Sequence, residues 1–213
     1  MNAEATGLVM HSPEGTRYVF DPGALCLELL TTGGPGDLAR FEVLHTPGDL
    51  AEWLVRSRLR PAPQDVRVTV PELDAARRLR DALWDLARAG VYGRAREPRD
   101  VAALNRAAAH PPPVPQLGED GARGWQPPVS GSQAMSAVAR DAVELFTGPF
   151  ASRVRECGAG DCFLVFVDTS RPGRRRWCAM ERCGNRHKVR ALRARRESER
   201  EETRGETREE TGP

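Results

Sequence analysis

Lysine is almost absent from this chain. Of 32 basic residues only Lys188 is not arginine. Aromatic residues make up 6%, so any core must be built mainly from Leu, Val and Ala. The longest aliphatic-aromatic run, Phe163–Val167, falls far short of the ~20 residues a membrane span needs. The N-terminus carries Glu4 and no basic-then-apolar stretch, so no secretory signal is expected and a cytoplasmic location is. Four histidines are scattered at 11, 45, 110 and 187 without a Ser or Cys elbow beside them, which leaves no legible nucleophile–base pair. Glu72, Asp81 and Asp85 share a helix face more typical of solvent than of catalysis. No catalytic residue, and no enzyme, is expected.

One cofactor motif fails on context. Gly34–Ala39 matches G-x-G-x-x-A, but Thr46-Pro47 closes the window too early for the crossover helix of a dinucleotide fold. The segment reads as a loop.

What is present is unevenly placed. A length of 213 residues, 39% hydrophobic and 29% charged, allows one good-sized domain or a medium domain with an appendage. Residues 1–150 carry 16 basic and 19 acidic groups, residues 151–196 carry 13 and 4, and residues 197–213 carry 3 and 7. Arginine richness alone proves little, but its crowding into one short stretch marks a candidate surface for phosphate.

Pattern reading gives a mostly helical first part. Tyr18–Phe20, the Asp21-Pro22-Gly23 turn and Ala24–Thr31 read as a β-hairpin, with Cys26 a buried thiol in the second strand. Asp49 is placed to cap a helix carrying Leu50, Trp53 and Leu54. Pro71 opens the strongest helix, where Leu73, Ala76, Leu79, Leu83 and Leu86 recur at i, i+3/i+4 until Gly90. Asp100–Ala109 forms a shorter helix. Val114–Pro128 is either a hairpin or a loop. Ser132 or Ser136 caps a helix carrying Val138, Val143, Leu145 and Phe146. The last stretch, 197–213, has no apolar residue and reads as a disordered acidic tail.

The cysteines carry the chemistry. Cys157-x4-Cys162 and Cys178-x4-Cys183 are matched pairs 15 residues apart. Paired thiols in a cytoplasmic chain point to metal rather than disulfide. Four thiolates suit tetrahedral Zn²⁺, with iron–sulfur ligation the lesser alternative. Between the pairs, Phe163–Val167 reads as a strand, Asp168–Gly173 as a turn and Arg174–Trp177 as the returning strand. After Gly184-Asn185-Arg186, a helix-compatible stretch to about Arg196 then has Val189 and Leu192 facing inward. This order is treble-clef-like. His187 is expected at the surface, Asp168 as a turn partner for Arg171 or Arg175, and Asn185 and Arg186 as a helix cap or partners of the thiolates.

These residues also resemble a known family. Cys157 to Cys162, Phe163–Ser170, Arg175-Arg176-Trp177-Cys178 and Cys183-Gly184-Asn185-Arg186-x-Lys188 are similar to the CGNR zinc finger. In that family the finger follows a mostly helical domain called ABATE, in bacterial proteins described as stress-induced transcription regulators. Ala24–Thr32, Trp53-Leu54 and Leu104-Asn105 resemble ABATE positions, although Glu28-Leu29-Leu30-Thr31-Thr32 stands where that domain tends to have Asp-Phe-x-Asn-Thr. The resemblance implies a Zn²⁺ held by Cys157, Cys162, Cys178 and Cys183.

The expected fold is therefore α+β. A mostly helical domain with a small hairpin spans 1–150, a zinc finger 151–196 and the tail the remainder. The leading function is a zinc-binding, DNA-binding transcriptional regulator. Its phosphate contacts are expected from Arg174, Arg175, Arg176, Arg186, Lys188, Arg190, Arg193 and Arg196. A small-molecule or protein effector is expected on the helical domain, and no membrane partner. Two alternatives are a zinc-stapled protein-interaction module and a zinc-thiolate redox sensor.

Overall fold

A computed structural model describes residues 7–11 and 15–209, with side chains described as far as Glu197. A little over half of the chain is helical, and the sheets are small two-stranded pairs, as expected for the mostly helical α+β class.

The chain opens with an antiparallel hairpin, β1 (Leu8–His11) against β2 (Arg17–Phe20). The hairpin expected from 18–31 is not formed. Leu25–Leu29 is instead a short helix, α1, followed by a 3-10 turn over Leu30–Thr32. Every residue from Ala24 to Leu30 is buried. A run in which Glu28 is the one charged residue has no amphipathic period, so strand and buried helix look alike in sequence. Cys26 is buried all the same, and burial pushes its thiol well above the usual range. Asp141 accepts its backbone N–H at 2.8 Å, a carboxylate at the start of a helix.

The next helix, α2, spans Pro47–Arg56. Its cap is Thr46, and Asp49 is the third residue of a capping box rather than the cap itself. After a two-residue strand β3 (Val66–Arg67) comes the long α3 (Val70–Val91), which buries all five of its expected leucine and alanine positions. It runs past Gly90, and the chain turns at Gly93 with φ +63°, a conformation glycine adopts without strain. Then come α4 (Pro98–Ala109), a hairpin of β4 (Pro115–Leu117) and β5 (Arg123–Trp125), and β6 (Val129–Ser130), which pairs in parallel with β3. The Val114–Pro128 region is thus a hairpin. Ser130, not Ser132 or Ser136, caps α5 (Gly131–Thr147), its Oγ accepting from the Gln133 N–H at 3.1 Å.

Helices α3, α4 and α5 pack on one another, with α1 against α5. The final strands β7 (Val154–Glu156) and β8 (Val165–Val167) join that same core through Val154, Val165 and Val167. The last helix, α6, runs from Asn185 to Glu209. Most of the segment expected to be a disordered tail is therefore helical. Its Glu and Arg content favours helix and allows i,i+4 pairs, even with no apolar face to bury.

Glu28 on α1 is an unusual core residue. It is 3% exposed and faces Arg58, whose backbone N–H donates to Oε2 at 2.9 Å while Nε lies 2.8 Å from Oε1. Burial outweighs these partners and raises the carboxyl from 4.5 to about 7. The folded state therefore binds a proton that the unfolded chain releases between pH 4.5 and 7, so ionisation lowers stability as pH rises through that window. Glu28→Gln should be more stable than the parent by a margin that grows on the order of 2 kcal/mol between pH 5.5 and 7.5. Urea denaturation of both proteins across that range measures it, and parallel pH profiles contradict it.

Candidate metal centre

The four paired cysteines converge from three directions. Cys157 follows β7, and its N–H donates to the Leu164 carbonyl at 2.9 Å. Cys162 closes the intervening turn by donating to Ala159 at 3.0 Å. Strand β8 then pairs with β7, not with 174–177, which forms no strand. The reason is local. Asp168, fully buried, accepts from Ser170 N–H at 3.0 Å, Ser170 Oγ at 2.6 Å and Arg175 N–H at 2.8 Å. That carboxylate takes a backbone donor a sheet would need. The 174–177 segment is fastened instead by Gly158 N–H to the Arg176 carbonyl at 2.8 Å, which brings Cys178 beside Cys157. Cys183 sits in the wide helical turn Met180–Gly184 that leads into α6. A Cβ on Gly184 would lie 2.7 Å from Sδ of Met180, an exposed and flexible side chain that can move aside.

All four Sγ atoms lie within 4.8 Å of one another. Cys162 and Cys178 are 3.7 Å apart, and Cys178 and Cys183 3.5 Å. Four sulfurs about 2.3 Å from one Zn²⁺ form a tetrahedron with edges of about 3.8 Å. A disulfide needs about 2.05 Å, and all four thiols are free. The donor set is soft, four-coordinate and closed, which fits a structural zinc ion. In the free thiols, bonding to the Cys157 sulfur and burial hold Cys178 protonated, and Zn²⁺ would displace that proton.

The shell around the sulfurs comes partly from the N-terminal hairpin. Tyr18, Phe20 and Phe166 are buried against the cysteines in one apolar cluster. Burial pushes the Tyr18 hydroxyl up to about 12, and Arg182 Nη1 donates to it at 3.0 Å. These contacts were not legible in the sequence, where β2 lies some 140 residues from the first ligand. Arg186 donates through Nη2 to Asp161 at 2.9 Å and reaches Cys183 Sγ at 3.5 Å, the expected thiolate partner. Asn185 donates to the Glu181 carbonyl at 3.4 Å. His187 stacks on Trp177 at 4.7 Å and lies outside the sulfur cluster.

The eight expected nucleic-acid residues divide. Arg175 turns inward, donating to the carbonyls of Trp177 and Cys178 and lying 4.1 Å from the Phe166 ring centre. Arg186 is likewise engaged, and Arg190 shares Asp161 with it at 3.1 Å. Arg174, Arg176, Lys188, Arg193 and Arg196 are exposed. Val189 and Leu192, expected to face inward, are 47% and 40% exposed. Among the described residues, α6 packs chiefly on the turn that precedes it, so those side chains meet no core.

No helix among the described residues is long and apolar enough to cross a membrane. Two family models match the chain in the order of its parts. Residues 23–149 match the ABATE model, described as "Putative stress-induced transcription regulator", and residues 153–196 match the CGNR zinc finger. No curated protein matches the chain.

Proposed function

The chain belongs to the ABATE family and carries a CGNR zinc finger, and from that premise we propose that it is a zinc-dependent DNA-binding transcriptional regulator. One observation carries this reading: the zinc-ready frame presents Arg174, Arg176, Lys188, Arg193 and Arg196 to solvent within a stretch of 13 basic and 4 acidic residues. Guanidiniums on a rigid base suit phosphate oxygens, and fixing the base removes part of the entropy cost of contact. The helical domain then acts as the receiver of a signal. Because Val154, Val165 and Val167 lie in its core, a change there is felt directly by the metal turn.

The test is fluorescence anisotropy of the zinc-loaded full chain on duplex DNA across a salt series. With about four to six phosphate contacts, log K should fall against log salt with a slope of roughly −4 to −5. Replacing Lys188, Arg193 and Arg196 with Ala should flatten the slope by roughly 3 while zinc content stays unchanged. Absence of binding at low salt, or an affinity indifferent to salt, sinks the proposal. The exposed Val189 and Leu192 favour a second reading, a zinc-stapled interaction module, in that event. The buried sulfurs speak against the redox sensor, because oxidants reach covered thiolates poorly.

A further inference from the structure

The first cysteine turn reaches across to α6. Asp161 lies between Cys157 and Cys162, beside the second of them, and its exposed carboxylate accepts from two guanidiniums of the last helix. Oδ1 takes Nη2 of Arg186 at 2.9 Å, and Oδ2 takes Nη2 of Arg190 at 3.1 Å. Residues four apart stand one turn above each other on a helix, so one carboxylate bridges the pair with an oxygen for each. Two oxygens of a single phosphate group can bridge a pair of arginines in the same way.

The two arginines are not equally committed. Arg186 is partly buried and also reaches Cys183 Sγ at 3.5 Å, so the sulfur cluster holds it as well. The Arg190 side chain is 64% exposed, and Asp161, 44% exposed, is the partner its guanidinium meets among the described residues. An ion pair this open to water is worth little and exchanges readily for another anion. Arg193, three residues on, continues the same helix face and is exposed. The row Arg186, Arg190, Arg193 thus runs from the sulfurs to open solvent, and Asp161 covers its middle member.

We infer that Arg190 is a further phosphate-contact residue, and that Asp161 holds its place in the free chain with a carboxylate that a phosphodiester group displaces. No covalent bond changes. The Arg190 guanidinium exchanges one oxyanion for another, the Asp161 carboxylate returns to water, and Arg186 stays on the sulfur. That the displacing group belongs to DNA rests on the proposed regulator role, whereas the exchange itself requires only a polyanion.

Calorimetric titration of the zinc-loaded full chain with a heparin hexasaccharide, a polyanion without bases, tests the exchange alone. Asp161→Asn should bind it about two- to fivefold more tightly than the parent, and Asp161→Ala should match that gain. Arg190→Gln should change the parent by less than about twofold, yet erase the gain when combined with Asp161→Asn. In fluorescence anisotropy on duplex DNA, Asp161→Asn should also steepen the slope of log K against log salt by about 1, for one phosphate more. Glu181→Gln removes an exposed carboxylate from the turn before α6 without releasing Arg190, and should leave that slope unchanged. Zinc content should not change in any of these proteins. Equal or weaker hexasaccharide binding by Asp161→Asn, a gain that survives Arg190→Gln, an equal steepening in Glu181→Gln, or loss of zinc from both Asp161 variants overturns the inference. A hexasaccharide gain without duplex binding by any form keeps the exchange and loses the regulator. Duplex binding by the parent with no gain in Asp161→Asn keeps the regulator and loses the exchange.

Discussion

Replacing any one of Cys157, Cys162, Cys178 or Cys183 with Ser is expected to release most of the zinc and unfold the segment from 153 to about 190. Structural zinc contributes roughly 10–16 kcal/mol to small metal domains at neutral pH, more than the whole net stability of a typical domain. Here the damage should spread. Phe20 and Tyr18 pack on the cysteines, Val167 N–H donates to the Pro22 carbonyl at 2.8 Å, and Asp168 N–H to that of Arg153 at 2.8 Å. The N-terminal hairpin and the first turn of the helical domain should therefore loosen with the finger, while α3, α4 and α5 keep most of the helical signal. Elemental analysis combined with circular dichroism and hydrogen exchange measures all three parts. Metal-free protein, cleanly purified and natively folded, contradicts the assignment. Loss confined to residues after 153 contradicts the packing between hairpin and sulfurs.

A second large effect is expected at Arg80, far from the metal. Its side chain is nearly buried on α3 and forms a two-pronged pair with Glu42, with Nη1 also 3.2 Å from the Thr32 carbonyl. One turn later, Trp84 Nε1 donates to the Gly33 carbonyl at 2.8 Å. Together they pin the 32–43 segment to the long helix. Arg80→Ala removes the counter-charge from Glu42, leaving it the Leu44 N–H at 2.9 Å, and one of the two donors to the Thr32 carbonyl, which keeps the Val43 N–H at 3.0 Å. Breaking a largely buried pair in this way costs about 3–5 kcal/mol. Arg80→Met keeps the packing of the stem but loses the pair, and should cost about 2–4 kcal/mol. Urea denaturation gives both values. A loss below about 1 kcal/mol for Arg80→Ala means that the pair contributes no more than an exposed one.

How much of this was legible beforehand follows from the range of each signal. Helices α2, α3, α4 and α5 are local objects. Their apolar residues recur at helical spacing, and prolines or polar caps mark their starts. Even so, the caps were misplaced by up to a few residues, because Thr46 and Ser130 are no more conspicuous than Asp49 and Ser132 until the chain direction is known. The two cysteine pairs were legible for a different reason. Metal chemistry demands particular atoms at short range, so residue type and spacing suffice to identify the ligand set before any fold is known.

Contacts between distant segments were a matter for the tertiary structure. The 24–31 run shows no polar face, with Glu28 and Thr31 its polar members, and only its enclosure by α5 and its neighbours makes it a helix. Strand β8 pairs with β7 because Asp168 claims a backbone donor of the segment that looked like its partner. Val189 and Leu192 have the spacing of a core face, but among the described residues they stay 47% and 40% exposed. Phe20 and Tyr18 reach the sulfurs across more than a hundred residues. The sequence by itself determined what its local periods and ligand spacings encode, namely the long helices, the metal and the concentration of positive charge. The pairing of strands and the wall around the sulfurs were decided by folding, because each depends on which distant group arrives to satisfy a donor or fill a surface.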